Sequence, residues 1–191
     1  MMQMIIEARF IDDLGETARV PLVTIERELT TSALGMSLAE DKGILASVQK
    51  YMVSTQCESI ADAHSFCEKC EARLGVKGFH ERRIRTVFGS IDVISPRVRR
   101  CRCDCLSAGS SFSPPNIVVP TGMTPELEYL QVKWAAHLPY AAATKLLSEV
   151  LPVVDAVSVS GLKRRVRVVG AALESSSDQP SECKPGLIDG S

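Results

Sequence analysis

CEKCEARLGVKGFHERRIRTVFGSIDVISPRVRRCRCDC occupies residues 67–105 and holds five of the chain's seven cysteines, two at its start and three at its end. Cys67 and Cys70 have the spacing with which a tight turn aims two thiolates at one metal ion, and a structural zinc needs four ligands in a tetrahedron. A second pair is therefore required. Cys101, Cys103 and Cys105 stand at alternate positions, so in an extended chain all three point to one side and any two can complete the set. Spacing alone leaves open which of them is spare. Between the two groups, HERRIRTVFG and SIDVISPRVRR read as strands joined near Gly89, a hairpin that returns the second cysteines to the first. This is the layout of a zinc ribbon. The competing reading, free buried thiols, has to place five of them by coincidence at the two ends of one hairpin. Glu71 follows Cys70 at a position where a metal knuckle often carries glycine to permit the turn.

The same segment is basic. It carries ten Lys/Arg against five Asp/Glu, a local charge of +5, while the remainder of the chain sums to −6. Such asymmetry points to a polyanion as the partner of the basic segment, although a solvated strand face produces the same count. On the first strand Arg83 and Arg85 share one face and Arg82, Ile84, Thr86 and Phe88 the other; Arg97, Arg99 and Arg100 lie on the return strand. Arginine's planar fork donates two hydrogen bonds at once to a phosphate, so arginines spaced along a ribbon suit a nucleic-acid backbone.

Upstream, residues 2–10 and 17–26 are rich in strand formers, with Asp12, Asp13 and Gly15 as turn residues between them. A helix is expected from Ser37 to about His64, opened by a capping box of Ser37 and Glu40 and burying Leu38, Leu45, Val48 and Met52. The fold class is α+β: a hairpin and long helix over 1–66, then the zinc-ribbon-like segment over 67–105. Downstream, SAGSSFSPPNIVVPTG has the composition of a loop, and 106–123 reads as a linker. Thr124-Pro125-Glu126 is a helix start in which the hydroxyl caps, the proline needs no N–H and the carboxylate meets the positive end of the dipole. Leu127, Leu130 and Trp134 form its buried side.

A second helix follows Pro139 through Ala143, Leu146, Leu147 and Val150. A third begins near Ser158, with Leu162, Val166, Val169 and Leu173 on one stripe and Ser160, Arg164 and Arg167 on the opposite one, Lys163 beside them. The RVRVV run within it is also compatible with a strand. Three helices over 124–174 whose last has an outward basic face describe a helix-turn-helix-like unit; a plain three-helix bundle is the alternative. Residues 175–191 have too little apolar content to pack and are expected to be disordered.

At 191 residues, 45% hydrophobic and 24% charged, the chain has the composition of a folded globular protein. Acidic residues fall within the first dozen positions, and neither a basic leader nor an export cleavage site is visible. No apolar run approaches the roughly 20 residues of a membrane span. The expected compartment is the reducing cytoplasm, where stable disulfides are rare.

GMSLAEDKGILASVQ, then CEKC with a following KG, then RTVFGSIDVISPRVRRCRC, then TPELEYLQVKWAAHLPYAAATKLLSEVLP, and finally a basic segment ending RVVGAAL stand in this order in the sequence. Together they resemble the N-terminal half of the ISKra-type insertion-sequence transposases, over about residues 1–174. The resemblance implies a protein of DNA transposition and recombination, with N-terminal DNA-binding parts ahead of an RNase H-like domain bearing an Asp, Asp, Glu metal site. It implies Cys67, Cys70, Cys101 and Cys103 as the ligands of a structural zinc, with Cys105 extra. It also implies that Asp189, in the closing GLIDGS, corresponds to the first catalytic aspartate. One carboxylate does not hold the two metal ions of in-line phosphoryl transfer, so catalysis by this chain alone is not expected.

The leading expectation is a non-catalytic, truncated DNA-binding fragment of a transposase. Double-stranded DNA at transposon ends is the partner, and the contacts are Arg83, Arg85, Arg97, Arg99, Lys163, Arg164 and Arg167. A homo-oligomer is compatible with the sequence, and no membrane partner is expected. The alternatives are a zinc-stabilised protein-interaction module and, more remotely, a thiol redox enzyme using Cys67 and Cys70.

Overall fold

Ser37 opens the long helix as its sequence foretells: Glu40 N–H donates to Ser37 Oγ at 3.3 Å and the Glu40 carboxylate takes the Ser37 N–H at 2.7 Å. The computed structural model describes residues 2–12, 15–28, 34–103, 110–153 and 157–177. Expectations placed on Cys105, Asp189 and the tail beyond Ser177 lie outside the described residues. Among those residues the chain is α+β, with two small antiparallel sheets and five helices.

Strands β1 (Met2–Asp12) and β2 (Gly15–Arg27) form the expected N-terminal hairpin. Helix α1 (Leu38–Ala63) follows and is tied back to β2 by an ion pair between Arg27 and Glu40. Its buried side differs from the expected one. Leu38, Leu45 and Met52 are exposed, and Val53 and Cys57 are the buried positions. The reason is tertiary: α1 lies against β4 (Gly89–Arg99), and Val53 and Cys57 pack with Ile84, Ile91 and Val93.

Strand β3 (Val76–Thr86) pairs with β4 in the predicted antiparallel hairpin, from Thr86↔Gly89 to Val76↔Val98. Ile84 and Thr86 face inward and Arg83 outward, the alternation a half-buried strand requires. The turn is held by Thr86 Oγ1, which donates to Gly89 O at 2.8 Å and accepts from Phe88 N–H at 3.2 Å.

The Ser/Pro-rich stretch is not the bare linker its composition implied. It contains β5 (Ser111–Phe112), which pairs with β4, and the short helix α2 (Pro115–Val118). Ser113, Pro114, Pro115 and Met123 are buried. Two interactions fix it to the sheet: Ser95 and Ser113 share a buried hydroxyl contact of 2.7 Å, and residues 122–124 run along β3, with Arg85 N–H donating to Gly122 O and Thr124 N–H to Arg85 O, each at 2.9 Å. Prolines tolerate this role because α2 begins at Pro115, where no N–H is needed.

Helices α3 (Pro125–His137), α4 (Tyr140–Val150) and α5 (Val159–Ser177) pack on one another. Leu127, Leu147, Met123 and Val153 form their core, and Val87 from the β3–β4 turn packs against it. Three details depart from expectation. Thr124 stands at the N-cap position of α3, but its hydroxyl makes no capping bond. Trp134 and Val150 are exposed, while Gln131, at 2% exposure, takes the interior place. The RVRVV run is helical, and α5 extends to Ser177, into the stretch assigned to the tail. Its stripe holds at Leu162, Val166 and Val169 but not at the exposed Leu173.

Candidate metal centre

The β3–β4 register explains how cysteines more than thirty positions apart meet. Because Val76 pairs with Val98, and Arg99 N–H donates to Gly75 O at 2.9 Å, the chain leaving β4 lies beside the chain entering β3. Cys67 and Cys70 come from a turn closed by a Phe66↔Arg73 bridge, with Cys67 N–H donating to Ala72 O at 2.9 Å and Glu71 N–H to Cys67 O at 2.8 Å. Glu71 adopts φ +58°, the left-handed region, and it is the non-glycine residue that does so among the described residues. The turn therefore has the geometry glycine usually supplies, but achieves it with a glutamate.

The sulfurs of Cys67, Cys70, Cys101 and Cys103 all lie within 4.8 Å of one another. Cys67 Sγ is 3.5 Å from Cys103 Sγ, and Cys70 Sγ is 3.5 Å from Cys101 Sγ. Four sulfurs held about 2.3 Å from a central zinc form a tetrahedron with edges of about 3.8 Å. The cluster fits that size, so these four residues can hold a metal ion. The unpaired alternative of scattered buried thiols does not describe them, since Cys70 and Cys103 are exposed and all four converge.

Electrostatics set the four thiols against one another. The Lys69 and Cys70 N–H groups hold the Cys67 thiol down at about 6, whereas the Cys101 and Cys67 sulfurs push Cys103 up to about 12. At Cys70 the Ala72 N–H lowers the thiol's pKa, but the Cys101 and Cys67 sulfurs outweigh it and the net shift is upward. One thiolate is stabilised and its neighbours then resist ionising, as expected of like charges crowded together. A divalent cation removes that conflict, because coordination deprotonates the thiols.

The basic residues form two groups. On the ribbon, Arg97 and Arg99 are exposed, and Arg100 lies over the Phe112 ring at 5.1 Å. Arg83 is outward but engaged: its Nε and Nη2 donate to the two oxygens of Asp92 at 2.7 and 3.0 Å, and this holds the Asp92 carboxyl below its ordinary range. Arg85 is half-buried and its Nη2 reaches Thr121 O at 3.4 Å. On α5, Arg164 and Arg167 are exposed opposite Leu162, and Lys163 lies 5.8 Å from the Tyr140 ring.

Sequence reasoning missed two contacts made by basic residues. Arg165, at 11% side-chain exposure, pairs with Glu128 at 2.5 Å and joins α5 to α3. Its signal was its position beside the apolar stripe, hidden by the basic run around it. Phe112 as the platform for Arg100 was hidden by a serine-rich context.

No helix among the described residues is long and apolar enough to cross a membrane. Comparison of the chain with protein-family models, with curated proteins and with solved structures gives no match.

Proposed function

We propose that this chain is a DNA-binding module stabilised by a structural zinc ion, of the kind that occupies the N-terminal half of ISKra-type transposases, and that it binds DNA without cutting it. The four-sulfur cluster carries the zinc part of this reading, and the exposed Arg97, Arg99, Arg164 and Arg167 support the DNA-binding part. An all-thiolate set of tetrahedral size favours zinc among the divalent metals, and Cys67, Cys70, Cys101 and Cys103 would be its ligands. The metal would supply folding energy, fixing the base of the hairpin that presents the arginines.

In this reading the ribbon and the helices have different tasks. Arg83, Arg85, Arg97 and Arg99 hold phosphates. The helices α3, α4 and α5 act as a helix-turn-helix, with Lys163, Arg164 and Arg167 on the outward face of α5 approaching base edges in the major groove. The Arg83–Asp92 pair tempers one of these contacts, since a phosphate there competes with a carboxylate already bound in fork geometry.

Titrations of single alanine variants at Arg85, Arg99, Arg164 and Arg167, against an element-end duplex and a random duplex over a salt series, test this. Loss of a phosphate contact lowers affinity for both duplexes and shrinks the salt slope by about one unit. Loss of a base contact costs roughly 1–3 kcal/mol, mainly on the preferred duplex. A cleft of about 450 Å³ beside Cys67 and Cys101, lined by Phe66, Leu74, Phe112 and Ile117, favours a second reading, a zinc-stabilised protein-interaction module. That reading replaces the first if all four variants bind both duplexes as the parent does.

A further inference from the structure

We propose that β1 pairs through its free edge with the β1 of a second copy of this chain, giving a twofold-symmetric dimer with a continuous four-stranded sheet. The N-terminal sheet has two strands, and among the described residues β1 pairs with β2 alone. A strand of 11 residues leaves about half of its N–H and C=O groups pointing away from its one partner. Exposed edges of this length are ordinarily blunted by charged side chains of one kind, lysine above all, or by proline, whereas the exposed charges of β1, Glu7 and Arg9, are of opposite sign. Of proline and lysine themselves, β1, MQMIIEARFID, has neither.

What commits the edge to a second copy is the order of its exposed side chains. Ile5, Glu7, Arg9 and Ile11 alternate along the strand and are exposed, the isoleucines at 54% and 73%. Read in reverse, this row is its own complement. An antiparallel copy centred on Ala8 sets Ile5 opposite Ile11 and Glu7 opposite Arg9, and the twofold axis makes each pairing twice. Moving the centre to Glu7 sets Glu7 against itself, and moving it to Arg9 sets Arg9 against itself. Moving it by half a step sets exposed positions against inward ones. One register therefore joins apolar to apolar and opposite charges together.

The hairpin itself leaves this demand open. Arg9 is registered opposite Arg19, a like charge, and no acidic partner meets Arg9 among the described residues. Glu7 has Arg19 at 3.6 Å with both side chains well exposed, a contact of little strength. A second copy brings a carboxylate to Arg9 and covers two exposed isoleucines.

Charge reversal tests this on the full-length, metal-loaded chain by sedimentation velocity over a concentration series. The parent is expected to dimerise. Glu7→Arg alone and Arg9→Glu alone each place like charges opposite one another twice per dimer, and each should weaken self-association by at least about ten-fold. The double variant E7R/R9E restores the complement and should return to within about three-fold of the parent. An equimolar mixture of the two single variants should form a heterodimer, which also shows that each is folded. A parent that stays monomeric, single variants that dimerise as the parent does, or a mixture that stays monomeric would each overturn the proposal. None of these outcomes depends on DNA, so the proposed function stands or falls separately.

Discussion

Replacing Glu71 by glycine should tighten metal binding. At φ +58° the glutamate's Cβ crowds its own carbonyl, a conformation that costs an L-residue roughly 1–2 kcal/mol. Glycine removes that cost but loses more backbone entropy on ordering, about 0.5–1 kcal/mol. The net gain is about 0.5–1 kcal/mol, and because ordering this turn is coupled to coordination, it should appear as a two- to five-fold, or about that, increase in zinc affinity. Glycine also removes a negative charge beside a site that carries a net charge of about −2 once four thiolates hold a divalent ion, which by itself also favours the metal-bound state. Glu71→Ala separates the effects, since it removes the same charge and keeps the strain. Competition against a chelator of known affinity gives both numbers. Glu71→Gly binding zinc no more tightly than Glu71→Ala would refute the strained-knuckle reasoning.

Gly122 makes the opposite prediction. With φ +66° and a built Cβ only 3.2 Å from Arg83 O, Gly122→Ala should cost about 1–3 kcal/mol, read as a lower urea midpoint with an unchanged slope. Gln131 is 2% exposed and its Nε2 has no hydrogen-bond partner among the described residues. Gln131→Met keeps the shape and should stabilise the chain by about 1 kcal/mol, in the same assay. Leu127 is fully buried and Trp134 is 38% exposed, so Leu127→Ala should cost about 2–5 kcal/mol and Trp134→Ala much less. Equal costs would mean that Trp134 is packed as tightly as Leu127, against its exposure here.

What could be read from the sequence was whatever is decided locally or by strand geometry. The Ser37–Glu40 box closes within one helical turn, so no distant contact can change it. That the two cysteine groups meet was legible because a hairpin closed at Gly89 leaves its two ends side by side, while spacing left open which of Cys101, Cys103 and Cys105 join Cys67 and Cys70. The phase of α1 was not legible. Leu38, Leu45 and Met52 are as apolar as Val53 and Cys57, and only the path of β4 over the helix decides between them. The stretch 111–123 failed for a related reason: Ser113 is held by its hydroxyl contact with Ser95, and Gly122 O by the Arg85 N–H, which composition does not encode. Gln131 was passed over because polarity argues for the surface, whereas the packing of three helices left that position inside.

Metal content tests the central claim most directly. The purified chain should carry one equivalent of zinc by elemental analysis and native mass spectrometry, and the Cys105→Ser variant should carry the same. A Cys67→Ser/Cys70→Ser variant should carry none and lose the ordered hairpin, because two of the four sulfurs that lie within 4.8 Å of one another are gone. Full zinc occupancy in that double variant, or none in the parent, would contradict the account.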